Sequence, residues 1–545
     1  MTDPRKPAWV FNRDFEWTAL ARFAAASSPS VRLGIVSGRR RQGKSFLLRA
    51  LAEATGAFYF ATTEATAADS LREFGAALAG HAGGRAPYAL ASWADALRVL
   101  EETVAGGLAI IDEFPYLVRA EPPLPSLIQR MLDQRAWGEQ ERGTRLLLCG
   151  AAMSVMGGLL AGSAPLRGRA SLELLVQPFG YQTAAEFWGI TDPKLAVLVH
   201  SIVGGTPAYR HEFIADDVPR SLADLDDWVT RTVLNPAVPL FREARYLLAD
   251  ETGIREPALY NSVLAAVAEG NATRGGIANF VGRKSAELVH PLNVLEDSGL
   301  IIRQADPFHG RRSVFRITEP LITFYEAVMR GTWGQLEQRQ AAAVWRRQQA
   351  TFSSKVVGPH FESLCRAWAA DAGQEVFGDL PAEVSAGAVT DPGGRQQIEV
   401  DVAVLGPGVP GEPRRVLSLG EAKWGDVMEV RHIERLRRAR DLLSVKGYDT
   451  TATVLACYSG VGFSDGLTSL AASEPRTLLV GLDRLYQRLR QASRWTSNAT
   501  PILRTATASA IRDMRLSTSS IWACLSPPTT LAASGTYSDV QPLMQ

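Results

Sequence analysis

The chain has 545 residues, 46% of them hydrophobic and 21% charged, which at about 100 to 200 residues per domain makes roughly three to four units, each able to bury a core. Lysine plus arginine (58) against aspartate plus glutamate (57) leaves +1, so the molecule as a whole is no electrostatic adhesive for nucleic acid or membrane, and any basic surface is local. Four cysteines, at 149, 365, 457 and 524, none at metal-ligand spacing, argue against a disulfide framework and a zinc site and point to a reducing cytoplasm. The opening MTDPRKPAWV lacks the apolar stretch of an export signal, so a cytoplasmic location is expected.

Between 31 and 180 the apolar runs VRLGIVS, AFYFAT, LAIIDE, RLLLCG and LELLV alternate with helix-like segments, the pattern of a doubly wound parallel sheet. Residues 146–166 carry no charge and are long enough to span a bilayer, but five of them are glycine or proline, so a buried strand, a loop and a short helix are expected there and no membrane contact. From 191 to 250 the pattern turns helical, interrupted at Gly204-Gly205-Thr206-Pro207, and implies a lid or connector. Three helical segments and a hairpin then fill 251–330, the order of a winged helix-turn-helix, with Pro291 requiring that the third helix begin near it or kink. A polar stretch places a linker at 331–355, a second α/β pattern fills 356–493, and the Ser/Thr/Ala/Pro-rich 494–545 is expected to be a disordered tail.

Gly38-Arg39-Arg40-Arg41-Gln42-Gly43-Lys44-Ser45 satisfies G-x-x-x-x-G-K-[ST] between a strand and a helix, where backbone N–H groups and the helix terminus can cradle phosphates. Lys44 is expected on the β and γ phosphates of ATP and Ser45 on Mg²⁺, with Arg39, Arg40 and Arg41 either touching phosphate or forming a solvated basic run. Asp112 and Glu113 end an apolar strand of Walker B type, so Asp112 is expected in the magnesium shell and Glu113 beside the attacking water.

In the C-terminal unit, alternation along QQIEVDVAVL sends Ile398, Val400, Val402 and Val404 to one face and Asp401 to the other, and RVLSLGEAKW puts Glu421 and Lys423 on one face. Paired as a hairpin, the two strands bring Asp401, Glu421 and Lys423 together, two carboxylates to hold Mg²⁺ and an ammonium to meet developing charge. Arg431, Arg435 and Arg438 form a stripe on the next helix that fits a phosphate backbone and a solvated charged face equally, and Arg283, Lys284, Arg311 and Arg312 are phosphate-contact candidates in a winged unit that can also serve as a rigid spacer; DNA or RNA is the expected partner. His290 and His360 are isolated in sequence and receive no chemistry.

These motifs together resemble the archaeal-type P-loop ATPases, close to the AAA+ and STAND classes, whose chains carry a winged helix and often a restriction-endonuclease-like C-terminal domain. The resemblance runs over about 9–490, through FNRDFE, GRRRQGKS, IIDEFPYL, LLLCG, PLRGR, GGTPAY, REPALYNSVLAAVAEG and FRITEP. It implies a P-loop AAA+-like ATPase domain over 1–190, an adenine pocket bordered by the segment of Phe11 and Arg13, and Arg169, or less favourably Arg167, as an arginine finger that can act across a homo-oligomer. The D-x(n)-E-x-K order of Asp401, Glu421 and Lys423 resembles the nuclease core, and Glu362 that family's additional acid. One departure is Ala151-Ala152 after the LCG strand, where the family tends to have serines; that puts fast hydrolysis in doubt more than nucleotide binding.

Overall fold

A computed structural model describes residues 4–26, 31–134, 143–249 and 256–487, all within one unit, Met1–Gln491. The expected tail and Cys524 lie outside the described residues.

Five parallel strands, β1 (Arg32–Ser37), β2 (Phe58–Ala61), β3 (Leu108–Asp112), β4 (Arg145–Gly150) and β5 (Ala170–Leu175), form a sheet in the order β2-β3-β4-β1-β5. Alternate residues enter opposite cores: Leu33, Ile35, Ala109, Ile111, Leu146 and Leu148 on one face, Val36, Ile110, Leu147 and Cys149 on the other. Both faces are covered by helices, which is why the strand sequences are apolar throughout. The uncharged stretch from 146 holds β4 and the short helix Met153–Gly158, and among the described residues no helix is long and apolar enough to cross a membrane.

Helices follow, including Tyr181–Trp188, Pro193–Val203 and Leu240–Ala249. Pro257–Ala268, Arg274–Val281 and Val289–Asp297 then lead into the antiparallel pair β6 (Ile301–Asp306) and β7 (His309–Ile317) around their own core of Val263, Ile277, Leu292, Leu295 and Phe315. Pro291 falls in the first turn of its helix, where its missing N–H costs no hydrogen bond.

The second sheet has the order β12-β11-β10-β9-β8, from β8 (Glu383–Asp391), β9 (Gln396–Leu405), β10 (Val416–Lys423), β11 (Val454–Ser459) and β12 (Thr477–Gly481). β8, β9 and β10 are antiparallel neighbours, and β10, β11 and β12 are parallel. The helices Gly358–Phe377 and Val430–Val445 supply Phe361 and Leu364 to one face and Ile433 and Leu436 to the other.

Two expectations need correction. The 331–355 segment is helical, with Ala341–Thr351 running into Phe352–Val357 and on into the Gly358 helix. Val344, Trp345 and Phe352 anchor it in the core, and the Trp345 indole donates to Asp226 at 2.8 Å. Nor does β9 alternate cleanly. Its ladder with β8 slips between Ser385↔Ala403 and Gly387↔Val400, leaving Asp401 and Val402 opposite one residue. The bulge divides the supposed single face: Ile398 and Val400 join Ala403 and Leu405 in one core, Val402 and Val404 enter the other.

The β6–β7 tip docks on the second sheet. Phe308 is buried among Val389, Ile398 and Leu443, Tyr448 donates to the Pro307 carbonyl at 3.1 Å, and a Cβ at Gly387 would fall 2.8 Å from the Phe308 ring.

Candidate functional site

The loop Gly38–Lys44 leaves the carboxyl end of β1 and enters the helix Lys44–Thr55. Gly38 is required by close approach, since a Cβ there would lie 2.4 Å from the Val176 carbonyl oxygen. Gly43 caps the helix at φ 83°, and a Cβ there would meet nothing within 4 Å, so the backbone opens on free space at a helix amino terminus. Lys44 is 5% exposed and donates from Nζ to the Arg39 carbonyl at 2.8 Å. Burial lowers its pKa against the pull of Cys149, Glu113 and Asp112, as befits an ammonium waiting for an anion.

Asp112 ends β3 beside this loop. Burial pushes its pKa up, but hydrogen bonds from Ser45, Tyr59, Cys149 and the Glu113 N–H outweigh that and hold it below the usual carboxylate value. The Tyr59 hydroxyl donates to Oδ2 at 2.6 Å and the Glu113 N–H to Oδ1 at 2.9 Å. Glu113 takes φ 54°, an uncommon backbone for a residue with a Cβ, and the Thr62 hydroxyl secures its carbonyl at 2.6 Å. Burial and then the Asp112 charge raise its pKa, opposed by Lys44, Arg40 and the Ala151 N–H, so it is a better proton acceptor than an exposed glutamate. At Ala151 a backbone donor thus reaches Glu113 where a serine side chain is lacking.

The three arginines are not a solvated run. Arg39 pairs with buried Glu319 at 2.8 Å, Arg41 pairs with buried Glu243 at 2.7 Å and lies 4.2 Å over the Phe213 ring, and Arg40 donates to the Tyr116 hydroxyl at 2.8 Å. Arg13 donates to the carbonyls of Gln42 (3.1 Å) and Gln177 (2.8 Å), so its guanidinium braces the loop from behind. Phe11 packs on Phe179 and Phe187, whereas the half-exposed ring pair beside Ser45 is Trp9 with Phe46, centroids 5.0 Å apart. Arg169 is held bidentate by Asp133 at 2.9 Å and Arg167 by the Gly162 carbonyl at 2.6 Å. Tyr59, Tyr116, Glu243 and Glu319 received no role from the sequence, because each reaches the loop or Asp112 only through tertiary contact.

The second candidate site joins the Gly358 helix to β9 and β10. The Ala422 N–H donates to Asp401 Oδ2 at 2.9 Å, while Lys423 (3.2 Å) and Arg435 (3.3 Å) both pair with Glu421 Oε1. Glu421 is 2% exposed and its Oε2 has no hydrogen-bond partner among the described residues. Arg366 donates to the Asp401 carbonyl at 2.8 Å and approaches Glu362 at 3.7 Å. Burial and the Asp401 charge push Glu362 up to about 7, and burial likewise raises Asp401. Burial alone would lower Lys423, but Asp401 and Glu421 prevail and raise it. Glu362, Asp401, Glu421 and Lys423 are therefore electrostatic neighbours; among the described residues, however, no group of three or more His, Cys, Asp or Glu side chains is arranged to hold a metal ion.

Four other basic candidates, Arg283, Arg312, Arg431 and Arg438, already have partners. Arg438 binds Asp391 at 2.8 Å, Arg431 lies 3.5 Å from Glu429, and Arg283 lies 3.5 Å from Glu287. Arg312 donates to Gln397 at 3.0 Å as part of the docked hairpin tip, and the Arg311 side chain lies outside the described set. His360 is not isolated: its Nε2 is 2.8 Å from His200 Nδ1, both residues half-buried, with burial pushing their pKa values down.

No protein-family model matches the chain. A Methanocaldococcus jannaschii protein described as uncharacterized protein MJECL04 is 27% identical over 295 residues, 53% of this chain, and the chain spans 62% of that relative's length. Among solved structures, the Walker-type ATPase PABY2304 of Pyrococcus abyssi is 18% identical with a TM-score of 0.44, covering 59% of this chain and 98% of its own. The Aeropyrum pernix ORC2 protein in ADPNP–ADP complexes is 13% identical with a TM-score of 0.39, covering 64% and 98%. Likenesses at this level leave the chemistry to be read from the residues themselves.

Proposed function

We propose that the chain binds and hydrolyses ATP with Mg²⁺ at the loop Gly38–Ser45, and that this site works with a nuclease-like C-terminal unit on nucleic acid. The observation that carries the first half is the convergence of Lys44, Ser45, Asp112 and Glu113 around an open glycine cradle at a helix amino terminus. The donor set fits the group: Ser45 and Asp112 are the residues that would hold Mg²⁺, and the ion when bound would neutralise charge on the β and γ phosphates. Lys44 binds phosphate in exchange for the Arg39 carbonyl. Glu113 takes a proton from water as the water oxygen bonds to Pγ and the Pγ–O bond to ADP breaks, leaving ADP and inorganic phosphate. The edges of Trp9 and Phe46 offer the base an apolar surface nearer the loop helix than Phe11 does.

The test of this half measures binding and turnover of ATP. Lys44→Ala should abolish binding, and Glu113→Gln should keep binding while turnover falls by about 10² to 10⁴-fold. Unchanged behaviour in both variants rejects the site.

For the second half, the order helix, β8-β9-β10, helix, β11-β12 with Asp401, Glu421 and Lys423 across one hairpin supports a restriction-endonuclease-like unit. Asp401 and Glu421 would hold the metal, Glu421 through its unpartnered Oε2. Purified protein with Mg²⁺ or Mn²⁺ should then cut DNA or RNA, and Asp401→Ala should end the cutting. A second reading is a nucleotide-dependent switch that cuts nothing. It is favoured by Lys423 and Arg435 both lying on Glu421, and by the winged unit's hairpin being docked inside the molecule. ATP-dependent association with a nucleic acid, without strand scission, would decide for it.

A further inference from the structure

We infer that Arg40 is the cation that meets the γ-phosphate during hydrolysis, so that the catalytic arginine belongs to the phosphate loop itself and not to the Arg167–Arg169 segment. The inference rests on the ATPase reading of the loop.

Three arginines in succession between Gly38 and Gly43 take different directions. Arg39 and Arg41 each reach a carboxylate that is buried far along the chain, Glu319 and Glu243. Removing either guanidinium from its partner would strand a buried charge, so these two act as tethers of the loop. Arg40, between them, donates to the Tyr116 hydroxyl on the helix Phe114–Ala120. Its partner Tyr116 is one turn beyond Glu113 and donates its N–H to the Glu113 carbonyl at 3.0 Å, while Arg119 lies over the Tyr116 ring at 5.8 Å. The phenol therefore holds the guanidinium on the Glu113 side of the loop. Arg40 is also an electrostatic neighbour of both Lys44 and Glu113, the two groups that bracket the reacting phosphorus in the proposed reaction.

The alternative source of positive charge is poorly placed. Arg169 is exposed and bound bidentate by Asp133, and Arg167 is turned onto its own loop. A planar fork with several N–H donors suits the equatorial oxygens of a phosphoryl group in transit, where charge grows as the Pγ–O bond to ADP breaks. Arg40 gives and takes no proton there; the water proton goes to Glu113.

The test compares affinities of the full chain for ADP and for ADP with aluminium fluoride, which mimics the phosphoryl group in transit, by calorimetry in Mg²⁺. The wild-type chain should bind the second at least about tenfold more tightly. Arg40→Ala should lose that excess while its ADP affinity stays within about threefold, and single-turnover hydrolysis should fall by roughly 10³-fold. Arg169→Ala should keep the excess. Arg40→Lys, which retains the charge and the fold but not the fork, should restore only part of it. An Arg40 variant with the excess intact, or its loss in Arg169→Ala, overturns the inference while leaving the ATP site standing. ADP affinity undiminished in Lys44→Ala overturns the loop reading itself, and this inference with it.

Discussion

The two candidate sites use their cations in opposite ways. In the N-terminal site Arg39 and Arg41 reach outward to Glu319 and Glu243, so the acidic groups that balance these two stand apart from the open cradle at Gly43. In the C-terminal site Lys423 and Arg435 fold inward onto Glu421, so cation and acid neutralise each other within the site. The first arrangement leaves positive charge and N–H donors ready for an anion. The second must open an ion pair before its lysine can meet phosphate or its glutamate can use both oxygens, which is why hydrolysis of ATP is the more direct reading and strand cleavage the one that needs a rearrangement.

That contrast can be broken most forcefully at Arg39. Arg39→Ala should lower unfolding free energy by about 3 to 5 kcal/mol, because Glu319 would be left charged and buried without its partner. Chemical denaturation measures it, and the double change with Glu319→Leu should recover most of the loss; a single variant as stable as wild type would mean that the pair is no tether. Phe308→Ala comes next, at about 3 kcal/mol, from the cavity left between the β6–β7 tip and the second sheet. If the hairpin were instead free to contact nucleic acid, this change would weaken binding without lowering stability. Glu362→Gln should stabilise the chain at pH 8 by on the order of 2 kcal/mol. The sign follows from the raised pKa: below the ordinary glutamate value both folded and unfolded states hold the proton, and stability is lost as pH climbs towards about 7 while only the unfolded state ionises. Thermal midpoints from pH 4 to 8 should fall less steeply in the variant than in wild type. Smallest of all, Arg431→Gln should leave the midpoint unchanged, since both partners of its ion pair with Glu429 are exposed to water.

The phosphate loop and both sheets were largely legible because their signals are local: a glycine spacing, a run of apolar residues ended by Asp112, a strand period. β8 escaped because Ser385, Ala386, Gly387 and Ala388 have little strand propensity and its pairing partner, not its sequence, makes it a strand. The helix Ala341–Thr351 escaped because only Val344 and Trp345 face the core amid Arg and Gln, too few to give a period. The bulge at Asp401 and Val402 broke an alternation that looked regular in one strand because its cause lies in the next. For Glu243, in the helical stretch before 250, and Glu319, in FRITEP, nothing local could announce a partner some 200 or 280 positions earlier.

The last described helix, Leu482–Leu485, has a consequence for biosynthesis. The Tyr181 hydroxyl and the Gln182 amide both donate to the Leu485 carbonyl, and Tyr486 packs edge-on against Tyr181, across a separation of 304 residues. At about 5 to 20 residues per second the ribosome needs roughly 15 to 60 s to supply that closing piece after Tyr181 has been made. The sheet β1–β5 can therefore form early on the nascent polypeptide, while the helix Tyr181–Trp188 waits, partly unclad, until Leu485 and Tyr486 have been made.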